Sequence, residues 1–191
     1  MNRDTIILIG PARSGKSTVG AIVAEKLGIP NISLDAVGYE FGKEIYIPGD
    51  SKIVSDHLER HEFMEFFHCS RRYEFHAVKR TLETYDNCVI DFGAGHSVYD
   101  DPEQFEKIKN ILGNYAFVFL LLPCEDPEEA LAVMNSRTDF PLHLATNEFL
   151  LNHPSNYILA DYTVYTDGCT PEETAETIIE IFKANNGRQD H

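Results

Sequence analysis

One stretch, Gly10-Pro11-Ala12-Arg13-Ser14-Gly15-Lys16-Ser17, constrains this chain more than any other. It lies between an apolar run, Ile6-Ile7-Leu8-Ile9, and a helix-like segment from Thr18 to Leu27. Strand, glycine-rich turn and helix in that order form the setting of a phosphate-binding loop. Gly10 and Gly15 permit backbone angles closed to other residues, so successive N–H groups can curl around phosphate oxygens. The positive end of the following helix adds to that attraction. Lys16 is spaced to reach the β- and γ-phosphates of ATP, and the Ser17 hydroxyl to ligate Mg2+. The expected nucleotide contacts from the loop are Gly10, Arg13, Ser14, Gly15, Lys16, Ser17 and Thr18.

A chain of 191 residues, 43% hydrophobic and 25% charged, suits one domain, residues 1–191, with a sizeable core. A net charge of −15 argues against a nucleic-acid partner and against an anionic membrane surface. No stretch is long and apolar enough to span a bilayer. Met1 to Asp4 leads straight into the first strand, which leaves no room for a signal peptide. Cys69, Cys88, Cys124 and Cys169 are too widely spaced for a CxxC pair or a metal cluster. Cys88 and Cys124, in or beside apolar strands, are expected as buried thiols in a reducing, cytoplasmic setting.

Apolar strands alternate with helical patterns along the chain. Strands are expected at Thr5 to Ile9, Asn31 to Asp35, Asn87 to Phe92, Tyr115 to Leu122 and Tyr162 to Thr166. The first helix ends at Gly28. Ala36 to Arg60 reads as irregular, followed by helices at His57 to His68 and Arg71 to Tyr85. Asp101-Pro102 and Asp126-Pro127 open two more, because an N-cap acid followed by proline is a helix start. Thr138 to Leu144 reads as polar and proline-broken, Thr146 to Asn152 as helical, and Thr170-Pro171 opens a last helix to about Lys183. The tail from Ala184 reads as frayed. This alternation predicts a doubly wound parallel α/β sheet, whose ligands sit at the carboxyl ends of the strands.

Those ends single out the candidate residues. Asp91 closes the apolar strand Val89-Ile90 and fits the acid that holds Mg2+ directly or through water. Asp35, at the end of the second strand, suits a general base or an anchor for a hydroxyl substrate. Arg71 and Glu74, at i and i+3 on a helix, can pair and shape a polar pocket, with Arg72 as the adjacent alternative. Arg137 lies where a helix gives way to a flexible segment, suited to closing over phosphates. The turn Gly93-Ala94-Gly95 and His96 complete the expected cleft.

Taken in order, these stretches resemble shikimate kinase. The carriers are GPARSGKST, then Ser33-Leu34-Asp35, Arg71-Arg72-Tyr73-Glu74 and Val89-Ile90-Asp91-Phe92-Gly93-Ala94-Gly95. Arg137-Thr138-Asp139-Phe140-Pro141-Leu142 and Ala160-Asp161 before the final strand follow. The resemblance covers nearly the whole chain. It implies a P-loop NTPase three-layer sandwich with a five-stranded parallel sheet in the order 2-3-1-4-5. It also implies a substrate-binding region at about 36–85 and a lid at about 138–155. The chain departs from the family pattern at several points. Ser33 stands where the family has an acid, Asp91 adds an acid, and Arg13 and Ala94 replace glycines. Asn152 stands where the family has a second arginine for the substrate carboxylate.

The expected activity is transfer of the γ-phosphoryl group of ATP to a hydroxyl of a small metabolite, by a monomer or weak homodimer with an altered acceptor site. Lys16, Asp35 and Arg137 would act in the reaction, and Ser17 and Asp91 would hold Mg2+. Asp35, Arg71, Glu74, Gly93, Ala94 and Gly95 would bind the acceptor. Open alternatives are a true shikimate kinase, a nucleotide or nucleoside kinase, and a nucleotide-dependent regulatory module without a phosphoryl acceptor.

Overall fold

A computed structural model of the protein describes residue 2 and residues 4–186. The strands are β1 (Ile6–Ile9), β2 (Asn31–Ser33), β3 (Val89–Asp91), β4 (Val118–Leu122) and β5 (Tyr162–Tyr165). Between and after them lie α1 (Lys16–Leu27), α2 (Leu34–Gly42), α3 (Asp50–Glu59), α4 (Phe63–Thr84) and α5 (Pro102–Leu112). Then come α6 (Pro127–Ser136), α7 (Pro141–Asn152), α8 (Pro154–Leu159) and α9 (Pro171–Asn186).

All strands run parallel in one sheet, ordered β2-β3-β1-β4-β5, as expected. The centre falls to β1 because every one of its side chains is apolar, and each is fully buried. Alternate residues serve opposite faces. Ile7 and Ile9 join Ile90, Phe92 and Leu120 under α4, α5 and α6. Ile6 and Leu8 join Val89, Phe119 and Leu121 under α1 and α9. The result is the three-layer α/β sandwich.

Three local expectations are corrected. The second strand stops at Ser33, so Asp35 stands in the first turn of α2 rather than on the strand. Residues 36–60 are mostly helical: α2, a single 3-10 turn at Lys43–Ile45, and α3. Gly38 and Gly42 lower the helix propensity of α2, but packing against α4 outweighs them. Leu34 is fully buried, and a Cβ at Gly38 would sit 3.4 Å from that of Ala77. The two helices expected between His57 and Tyr85 are one continuous helix from Phe63, a span holding neither glycine nor proline. Its first half looked weakly amphipathic because only Phe67 is buried there.

Smaller differences follow the same physics. Pro141 does not break the segment expected to be irregular but takes the first turn of α7, where its missing N–H costs nothing. Cys124 is partly exposed, whereas Cys88 is buried. Helix α9 continues to Asn186, and the remainder of the tail expected to fray, 187–191, lies outside the described residues. Among the described residues no helix is long and apolar enough to cross a membrane.

Candidate active site

The loop between β1 and α1 depends on its glycines. Gly10 has φ 139°, and a Cβ there would meet the Leu121 carbonyl oxygen at 2.6 Å. Gly15 caps α1 with φ 103°. Arg13 also takes a left-handed conformation, φ 65°, unusual for a side-chain-bearing residue. Lys16 is 6% exposed, and its Nζ donates to the Pro11 carbonyl at 2.8 Å. Burial lowers its pKa, against the opposing pull of Asp91 and Asp35. A desolvated ammonium suits an anionic ligand, whose charge would favour its protonated form.

Asp91 ends β3 at 2% exposure. Burial raises its pKa, against a hydrogen bond from Ser17 and the charge of Lys16. Its Oδ1 has no hydrogen-bond partner among the described residues. A buried carboxylate oxygen left open beside the Ser17 hydroxyl fits a magnesium ion or a water bound to one. In the sheet, Asp91 is the register partner of Ser33. The acid absent from β2 therefore has a counterpart one strand over.

Asp35 projects from α2 against the turn after β3, with its side chain 68% exposed. A Cβ at Gly93 would overlap the Asp35 carboxylate, so close approach and not a positive φ demands glycine there. His96 Nδ1 lies 3.9 Å from Asp35 Oδ1. Burial pulls the His96 pKa down to about 4; Asp35 raises it, while Arg71 and Lys16 lower it further. The folded imidazole is thus neutral down to that pH, whereas an unfolded one takes a proton near pH 6.5. Between those values the unfolded state binds more protons, so stability should fall on acidification by about 2–3 kcal/mol. Urea midpoints at pH 7 and pH 4.5 should differ less for His96→Asn than for the unaltered protein; equal differences would contradict this.

Two cavities meet at Asp35. The first, about 590 Å³, is lined by Arg13, Lys16, Ser17, Asp35, Arg137 and His143, with Thr18, Gly93 and Ala94 also on its wall. The second, about 530 Å³, lies between α2, α3 and α4 and is lined by Asp35, Tyr39, Tyr46, Tyr73, Glu74 and His96, among others. From the end of α6, Arg137 donates through Nη1 to the Arg13 carbonyl at 3.3 Å, which ties that helix end to the phosphate loop.

Arg71 and Gly95 line neither cavity. Arg71 Nη1 donates to the Gly95 carbonyl at 2.8 Å and the Val98 carbonyl at 2.5 Å. Its guanidinium lies 3.9 Å from the Phe67 ring centroid and pairs with Glu74, which also accepts from Ser70 Oγ at 2.6 Å. Burial lowers the Arg71 pKa to about 10, which still leaves it charged. Gly95, with φ 89°, gives the turn room, since a Cβ would meet the Phe67 ring at 2.7 Å. Arg71→Ala would strip the buried Glu74 carboxylate of its cation and the Gly95 and Val98 carbonyls of a donor, a loss of about 3–5 kcal/mol. The urea midpoint measures it, and an unchanged midpoint would contradict this role. Asn152 donates to the Glu148 carbonyl at 3.0 Å and also lines neither cavity.

Sequence reasoning missed Thr166, Cys169 and Pro171, which close the first cavity beyond β5. Their position past a strand's carboxyl end was the available signal. It also missed His143, on the first turn of α7, and Tyr39 and Tyr46. Those tyrosines lay in a stretch read as irregular.

The fold and the loop cavity define a P-loop nucleotide-binding protein of the kinase type. The family model "Shikimate kinase" matches residues 13–183. The shikimate kinase of Caldicellulosiruptor bescii is 33% identical over 191 residues, covering 96% of this chain and 98% of the relative. That of Caldicellulosiruptor saccharolyticus is 30% identical over 192 residues, with the same coverage. Among solved structures, shikimate kinase from Acinetobacter baumannii in complex with shikimate aligns with a TM-score of 0.63. It is 19% identical, over 95% of this chain and 93% of that one, a likeness of fold. The chain belongs to the shikimate kinase family, and it is an ATP-dependent kinase acting on a hydroxyl group of a small molecule.

Proposed function

We propose that the γ-phosphoryl group of ATP, bound as its magnesium complex in the first cavity, passes to an acceptor hydroxyl held in the second, at an acceptor site altered from that of shikimate kinase. The observation that carries this reading is Asp35, the residue in both linings that can accept the hydroxyl's proton. Lys16 and the loop N–H groups would hold the phosphates. Ser17 and Asp91 would hold the ion, which neutralises phosphate charge when bound. Arg137 would close from the lid, residues 138–155, and residues 36–85 would frame the acceptor. The fixed loop, the ammonium and the arginine supply positioning and charge stabilisation, the main needs of phosphoryl transfer.

Support for an altered site comes from Arg71, whose Nη1 donates to two turn carbonyls and whose guanidinium pairs with Glu74. Among the described residues no arginine, Arg71 included, lines the second cavity. A second reading, phosphorylation of shikimate itself, is favoured by the names of the relatives. ADP release in Mg-ATP should rise with a suitable hydroxylated metabolite and stay low with shikimate. Efficient release with shikimate would favour the second reading.

A further inference from the structure

Residues 138–155, which follow Arg137, contain no lysine or arginine. The basic side chains of this segment are His143 and His153. His153 is committed elsewhere: its Nε2 lies 3.2 Å from Asp100 Oδ1, and its Nδ1 accepts from the Ser155 N–H at 3.2 Å. His143 lines the first cavity with Lys16, Ser17 and Asp35.

The His143 ring is held by its own turn. Its backbone N–H donates to the Phe140 carbonyl at 3.0 Å, and the two rings meet edge to face at 5.0 Å. Nδ1 lies 3.1 Å from Thr138 Oγ1, which already accepts from the Phe140 N–H. The Thr138 hydroxyl therefore has its proton to give to Nδ1, and the ring N–H falls on Nε2. Burial, then the charges of Arg13 and Lys16, lower the His143 pKa against the pull of Asp35. At pH 7 the ring is thus a neutral donor. It stands in the field of the ammonium spaced for the β- and γ-phosphates and of the carboxylate placed to take the acceptor's proton. Arg137 is anchored toward the other edge of the sheet. It donates to the Arg13 carbonyl, and its Nη2 lies 4.0 Å from Asp167, just past β5, whereas Asp35 follows β2 at the opposite edge.

On the kinase reading of this cavity, we infer that His143 is a further catalytic residue, donating from Nε2 to the γ-phosphoryl group of ATP as that group passes to the acceptor. The new bond from the acceptor oxygen to phosphorus replaces the bond to ADP, the hydroxyl proton goes to Asp35, and His143 keeps its own. Its hydrogen bond offsets charge on the phosphoryl oxygens. Calorimetric titration of the intact protein with magnesium and either ADP or a non-hydrolysable ATP analogue isolates the γ group. His143→Leu should weaken the analogue about tenfold, the scale of one lost hydrogen bond to a charged group, and leave ADP binding unchanged. Unchanged ADP binding also reports that the variant is folded. In turnover, kcat should fall by at least as much, with little change in the KM for the acceptor. His143→Gln, whose amide still donates, should restore analogue binding and kcat to within about threefold of the unaltered protein. Unaltered analogue binding in His143→Leu, an equal loss of analogue and ADP, or a glutamine variant no better than the leucine one would overturn the inference. Lys16→Ala separates the two levels of the reading. An analogue bound at full strength by Lys16→Ala would sink the nucleotide assignment of this cavity. Weakened binding there, with His143→Leu indifferent, would sink only the role of His143.

Discussion

Lys16→Ala should lower kcat for ATP-dependent phosphoryl transfer by about a thousandfold, on the scale of losing a buried charge aimed at the reacting phosphate. Lys16 is the deeply buried cation of the first cavity; Arg13 is exposed, and the Arg137 side chain is 38% exposed. Neither has its fixed position under the loop, so neither replaces it. The substitution also removes an ammonium whose burial is unfavourable, as its lowered pKa shows. The urea midpoint should therefore not fall. Steady-state ADP release at saturating ATP and acceptor, with a urea titration, checks both. Retained turnover would remove Lys16 from the reaction, and a large drop in stability would make the loss uninformative about chemistry.

Asp35→Asn should lower kcat by about 10²–10⁴-fold, the range for a positioned general base, with little change in the KM for ATP. The side chain is exposed and lies between the two cavities, so the change should leave stability nearly intact. Gly93→Ala provides the complementary test. It keeps the carboxylate but forces it out of its place, because a Cβ there would overlap Asp35. Comparable kinetic losses in both variants would tie activity to where the carboxylate stands. A fully active Asp35→Asn would exclude it as the base.

The phosphate loop and the sheet were legible because local chemistry decides them. Gly10 and Gly15 must accept unusual backbone angles, and an all-apolar run such as Ile6–Ile9 belongs in the middle of a covered sheet. The position of Asp91 was legible for the same reason, as an acid at the end of an apolar strand. The acceptor side was not. Helices α2 and α3 owe their existence to packing against α4, a long-range term that composition hides behind Gly38, Gly42 and Gly49. With that stretch read as irregular, Tyr39 and Tyr46 could not be assigned to a face. The spacing of Arg71 and Glu74 showed that they could pair, and they do. It did not show that the turn carbonyls of Gly95 and Val98 take the Nη1 donors. The destination of a guanidinium depends on segments far away in sequence.

The most direct measurement follows the phosphorus atom. With γ-labelled ATP, magnesium and a panel of ring alcohols and acids that includes shikimate and its methyl ester, the label should appear covalently on an acceptor hydroxyl. Its appearance should be lost in Lys16→Ala and Asp35→Asn. Label recovered only as inorganic phosphate, at a rate indifferent to every acceptor, would contradict transfer between the two cavities.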